Sequence, residues 1–287
     1  MQSKSAVLLK VLLNTFHPGS PQSLLKILPE EDAKAVMASE TSSKQPLLAL
    51  TWPQYAITRT HYSWLAPVIE QLPKAMQIPL VASIPEPQSS GLRRLLKLAP
   101  FRAELPPSAK MLLLKRLYLL WQPTEGLPPD YLPTSPLESL LSCSKAELIN
   151  VIDLLAMYDL AEGIRHIVDK KKLKLIYFCL TPQQQQFLRQ CLHKHEKLVA
   201  PKIDIEKWDG NPEKLTKGLH RRGMLRLGKA LCGQGRHFLW HIVHILDTGR
   251  GKEISLHYQN EALPGITSLL VQQVISVINF LKPKSDK

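Results

Sequence analysis

Apolar residues recur along most of this chain at spacings of three and four, the period of a helix that buries one face. Behind Ser144, positions Leu148, Ile149, Ile152, Leu155 and Ala156 form one such stripe. Near the C-terminal end Ile266, Leu270, Val274, Val277, Ile278 and Leu281 form another, with Ser268, Gln272, Ser276 and Asn279 on a different face. This second stripe predicts an amphipathic docking helix, too short and too often interrupted by polar residues to span a bilayer. Helix starts are marked as clearly as the stripes. Ser135-Pro136-Leu137-Glu138, Ser144-Lys145-Ala146-Glu147 and Thr181-Pro182-Gln183-Gln184 follow the capping-box pattern, in which a hydroxyl and the side chain three residues on each take a backbone N–H. Ser20-Pro21 and Asn211-Pro212 add a cap followed by proline at the first helical position. Strand-like stretches are few: 47–51 (LLALT), 79–84 (PLVASI) and 175–179, the last reading as a buried helix. The pattern predicts a mainly α protein of stacked helices.

Composition divides this helical chain in two. Residues 1–140 hold 18 of the 23 prolines, and residues 123–136 (PTEGLPPDYLPTSP) hold five of them with a glycine, which defeats regular hydrogen bonding. The sequence therefore predicts a Pro-rich, mainly helical N-terminal domain over 1–122, a linker over 123–136, and a helical C-terminal domain over 137–287. The net charge of +13 is shared unevenly, +4 over residues 1–140 and +9 over the rest, so the C-terminal domain is the basic one. Such a balance favours an acidic partner. Four cysteines without a C-x-x-C pair indicate neither a disulfide framework nor a zinc ribbon and fit a reducing cytosol. The basic start and short apolar run at residues 6–9, interrupted by Lys10, do not read as a signal peptide.

Chemical motifs are weak. Residues 223–230 (GMLRLGKA) match G-x-x-x-x-G-K, but alanine stands where a phosphate loop needs a hydroxyl for Mg²⁺, and no buried strand precedes it. The two glycines read instead as helix packing or termination points. His237, His241 and His244 fall on one helical face at a spacing that can bind zinc, and Cys191, His193 and His195 form a second small cluster. Phe238 breaks the metalloprotease pattern, and both sets read as solvated or interface faces of helices. No nucleophile elbow and no cleft-forming carboxylate pair occurs. The expectation is a non-enzymatic protein with no cofactor and no bound metal. The candidate partner-binding residues are the two basic runs: Lys170, Lys171, Lys172 and Lys174, then Arg221, Arg222, Arg226 and Lys229, with neither Arg222 nor Arg226 expected in the core. They suit an acidic protein or, as the alternative, a nucleic-acid backbone, although aromatic residues are only 6% of the chain.

Two segments carry a family resemblance. Residues 24–36 (LLKILPEEDAKAV) resemble the helix, Leu-Pro-x-Glu turn and helix of the flagellar motor-switch protein FliG and its relatives. Residues 158–192 resemble a FliG-type repeat, in which Asp precedes a Leu-Ala that opens a helix, a break and an amphipathic helix follow, and Leu-Thr-x-x starts the next. Together they cover about a sixth of the chain. The Glu-His-Pro-Gln signature and the charged ridge helix of torque generation are missing, so no functional residue is carried over. The resemblance implies an armadillo-like or FliG-like stack of helices. It also implies a role as a structural adaptor of a type III secretion or flagellar-type cytoplasmic complex, which binds protein partners of a membrane-associated secretion machine, as a monomer or an oligomer, and lies in the cytoplasm or peripherally at the inner face of the membrane without a span.

Overall fold

The computed structural model describes residues 4–19, 24–99, 104–121, 123, 125–165, 167–193, 205 and 208–282. It is 71% helical, with 14 α-helices and no strand among the described residues, a mainly α stacked-helix fold. The strand-like stretches at 47–51 and 79–84 are corrected: they lie almost wholly within helices Leu48–Arg59 and Lys74–Ser83. Their apolar residues look strand-like only when the flanking polar turns are ignored; Pro53 and Pro79 both sit inside helices. The chain separates into two compact units, Met1–Thr134 with Gly235–Thr248, and Ser135–Gln234 with Gly249–Lys287.

The first unit holds α1 (Lys4–Phe16), α2 (Glu30–Ala38), α3 (Leu48–Arg59), α4 (Tyr62–Glu70), α5 (Lys74–Ser83), α6 (Gln88–Leu96), α7 (Pro107–Trp121) and, returning from far along the chain, α12 (Arg236–Ile245). Trp52, Ile57, Leu65, Ile69, Leu80, Leu92, Leu117 and Trp240 make its core. Backbone and side-chain hydrogen bonds hold α12 there: His61 N donates to His244 O at 2.7 Å, and Trp64 Nε1 donates to Leu246 O at 2.9 Å.

The second unit is built around α8 (Lys145–Ile164). Thirteen of its 20 residues are buried, so the one-sided stripe expected behind Ser144 is in fact apolar nearly all round, as a core helix must be. Around it lie α10 (Pro182–Leu192), α11 (Pro212–Ala230) and α14 (Thr267–Leu281), with α9 (Lys170–Phe178) and α13 (Thr248–Leu256) completing the unit. Capping boxes at Ser144 and Thr181 and the Asn211 cap form as expected. Ser135 caps no α-helix; its hydroxyl accepts from Leu137 N, and a 3₁₀ helix Glu138–Ser142 follows. The Ser20-Pro21 cap lies outside the described residues.

Two of the expected domain features differ. Residues 235–248 of the anticipated C-terminal domain belong to the first unit. The anticipated linker is packed: Leu127 and Tyr131 are fully buried, Tyr131 Oη donates to Gln45 O at 2.8 Å, and the carbonyls of Glu125 and Leu127 accept from histidines of α12. Proline and glycine deny this segment a regular ladder, but side chains supply the missing partners. The unit boundary falls inside the anticipated linker, between Thr134 and Ser135.

Close approach of α11 to α8 depends on Gly223. A Cβ there would sit 1.9 Å from Ile152 O, a backbone atom that cannot yield. Gly228 meets α13 in the same way, 2.6 Å from Ile254 O. Gly223→Ala is expected to lower stability by roughly 2–3 kcal/mol or more in urea unfolding, the cost of overpacking a filled contact; a loss below about 0.5 kcal/mol, the range of surface substitutions, contradicts this packing.

Candidate partner-binding surfaces

The eight predicted partner-binding residues separate into an exposed set and an internal one. On α9, Asp169 caps the helix by accepting from Lys171 N and Lys172 N, which offsets the unfavourable placement of lysines at a helix N-terminus. Ile176 is the buried anchor of this short helix. Opposite it Lys170, Lys171 and Lys174 are exposed, and Lys172 is half-buried. Phe178 follows Lys171 and Lys174 at helical spacing, so it shares their face, and it is 87% exposed. An apolar ring set among three free-standing cationic side chains is what the sequence pattern had hidden: residues 175–179 are helical as expected, but Leu175 and Phe178 are on the outside.

The second run belongs mostly to the interior. Arg226 is corrected from surface contact to core: it is 2% exposed. Its Nε and Nη2 donate to the two oxygens of the buried Asp159 on α8 at 3.1 and 2.6 Å, and Nη1 donates to Gln273 Oε1 on α14. The guanidinium also lies 5.6 Å from the centre of the Tyr158 ring. Arg222, one turn earlier, is half-buried with Nη1 3.7 Å from Asp159 Oδ2. Lys229 is half-buried, and Arg221 alone of this run is exposed. His220, which precedes the run, is tied as well: its Nδ1 donates to Asp153 Oδ1 at 2.6 Å, and its Nε2 accepts from Arg250 Nε at 2.9 Å. The spacing that looked like a solvated face places Leu215, Leu219, Gly223, Arg226 and Ala230 on one buried stripe.

The histidine row of α12 is also internal: of the solvated or interface face expected, it is an interface within the first unit. Each ring nitrogen that meets a carbonyl must carry the proton, so His237 Nδ1 donates to Glu125 O, His241 Nε2 to Leu127 O at 2.8 Å, and His244 Nδ1 to Trp240 O at 2.8 Å. His241 packs against Trp52 and Trp240, and His244 against Trp64, Trp121 and Trp240. Cys191 is buried and His193 is exposed at the end of α10; His195 lies outside the described residues. Among the described residues no three His, Cys, Asp or Glu side chains come together as metal ligands. Residues 223–230 form continuous helix rather than a phosphate loop. The apolar face of α14, expected to dock elsewhere, is filled within its own unit by α8 and α11. No described helix is long and apolar enough to cross a membrane.

One further surface was missed in the sequence. On α7 Met111, Leu112 and Leu119 are exposed although the residues around them, 111–114 (MLLL) and 117–120 (LYLL), read as a helix apolar on every side. The signal was present as an excess: Leu114, Leu117 and Tyr118 suffice to seat the helix.

Comparison with known proteins gave no match to any family model, any curated protein or any solved structure. Within the FliG-like segments, residues 24–25 are helical and Pro29 opens α2 after a turn, and α9 and α10 follow the break after α8. Leu160 and Ala161 open no helix; they are buried inside α8.

Burial pushes His241 and His244 down to about 4; the carbonyls of Leu127 and Trp240 oppose that shift, while Arg59 and the neighbouring histidines add to it for His241. Between pH 6.5 and 4 the unfolded chain therefore takes up protons that the folded one refuses, so stability is full above pH 6.5 and is lost as pH falls towards 4. At about 1.4 kcal/mol per pH unit this is roughly 3 kcal/mol for each ring. Four of the five tryptophans (Trp52, Trp64, Trp121 and Trp240) lie in the first unit, so tryptophan-monitored melting should show a Tm falling across this window. His241→Phe should flatten the fall; an unchanged slope contradicts the assignment.

Proposed function

We propose that the chain is a non-enzymatic structural adaptor of a type III secretion or flagellar-type cytoplasmic complex and that it takes an acidic protein partner on the outer face of α9. The observation that carries the reading is Phe178, 87% exposed on the face that also holds Lys170, Lys171 and Lys174. Cations at a rim steer an acidic partner and fix its register, while a desolvated aromatic at the centre supplies the binding free energy. The FliG-like turn at residues 24–36 and the α9–α10 segment support placement in that class of machine, at the cytoplasmic side of its membrane-associated parts. Arg222, Arg226 and Lys229 drop out of the surface, and Arg221 remains on it.

The test is affinity capture with the tagged chain from its native cell. The wild-type protein should recover cytoplasmic components of a secretion or flagellar apparatus. Lys170→Glu/Lys171→Glu/Lys174→Glu and, separately, Phe178→Ala should each reduce that recovery at least tenfold with unchanged helix content, because all four side chains are outside the core. Recovery of the same proteins by the variants contradicts the α9 surface. Capture of nucleic acid instead, with log-linear loss of affinity in salt, moves the assignment to the phosphate-binding alternative.

A further inference from the structure

The outer face of α7 is an unpartnered helix face in the first unit, and its chemistry selects an occupant. The helix seats itself through Leu114, Leu117 and Tyr118. At 100° per residue Leu112 and Leu119 fall diametrically opposite that buried line, two turns or about 10 Å apart. They are 67% and 52% exposed, and Met111 beside them is 57% exposed. Lys115 and Arg116 are exposed between the two leucines, one on either flank. The helix carries no acidic residue. Single exposed leucines are ordinary; an aligned pair with a methionine and flanking charges of one sign is a seam.

Charge decides between occupants. A second copy paired α7 to α7 would set Lys115 and Arg116 against the same cations with no carboxylate on the helix to meet them. A bilayer would have to accept two cations within a patch of only three apolar side chains, less than stable interfacial anchoring requires, and no exposed Trp or Phe of α7 is there to help. Phosphate backbones have no use for the leucines. We infer that the outer face of α7 docks an acidic amphipathic helix of a partner protein, its leucines between Leu112, Leu119 and Met111 and its Glu or Asp side chains opposite Lys115 and Arg116. This gives the adaptor reading a second contact on the other unit, through residues that the α9 variants do not touch, so either surface can fail alone.

The probe is a synthetic labelled peptide with leucines at heptad spacing and flanking glutamates, titrated with the full-length chain by fluorescence anisotropy; a second peptide has lysines for the glutamates. The acidic peptide should bind and the basic one should not. Leu112→Ser/Leu119→Ser should weaken binding at least tenfold with unchanged Tm, and Lys115→Glu/Arg116→Glu should reverse the preference between the peptides. The charge reversal, at fully solvated positions, remains a readout if the serine variant folds poorly. The inference is overturned if neither peptide binds, if both bind alike, or if the charge reversal leaves the preference unchanged. It is equally overturned if the leucine pair is needed for sedimentation with phosphatidylserine vesicles or for self-association in ultracentrifugation instead of for peptide binding.

Discussion

A buried carboxylate on the central helix constrains the whole second unit. Asp159 lies on α8 with Leu155, Ala156, Leu160 and Ala161 around it, all buried. A charge in such a place is tolerable only with a matched partner and filled hydrogen-bonding positions. Arg226 supplies both: its planar fork meets the two carboxylate oxygens, and Gln273 occupies a third donor. For the guanidinium to reach, α11 must lie almost against α8, and Gly223 is the residue that permits it. Three helices far apart in the chain are thereby held in one register, since a shift of one residue in α11 would leave Asp159 buried and unpaired.

The first unit solves the opposite problem by similar means. Its proline-rich segment 125–131 has backbone carbonyls without a ladder, and α12 brings imidazoles to them. Of these, His241 also packs edge-on against Trp52 and Trp240, so its ring fills core volume while its N–H satisfies a carbonyl. In both units, polar groups that look like candidate chemistry in the sequence are consumed by the fold. Among the side chains that the fold leaves at the surface are the lysines and Phe178 of α9 and the outer leucines of α7.

Local features were legible in the sequence, and long-range ones were not. The caps at Ser144, Thr181 and Asn211 and the helical class follow from spacings within a few residues, which is where capping chemistry acts. Arg226 was legible in part: it continues the stripe of Leu219 and Gly223, but an arginine on a stripe reads as solvated unless a buried acid is known to face it. Asp159 lies 67 positions away, and nothing local marks the two as a pair. The return of residues 235–248 to the first unit has no local signature either, because its cause is contact with His61, Trp64 and the 125–127 carbonyls. The surface of α7 escaped for a different reason: periodicity finds faces that differ, and this helix carries leucines both on its buried line and on its outer face.

The placement of Arg226 in the core, paired with Asp159, and not with the exposed basic residues is tested directly by a double-mutant cycle. Asp159→Leu, Arg226→Met and the double variant would be unfolded in urea and followed by far-UV circular dichroism. Asp159→Leu leaves Arg226 buried without a carboxylate and should lose roughly 3–5 kcal/mol; Arg226→Met leaves Asp159 with only the more distant Arg222, 3.7 Å away, and should lose somewhat less; the double variant, apolar on both sides, should be more stable than either. Single losses below about 1 kcal/mol that simply add, as exposed ion pairs give, would contradict the buried pair and return Arg226 to the surface.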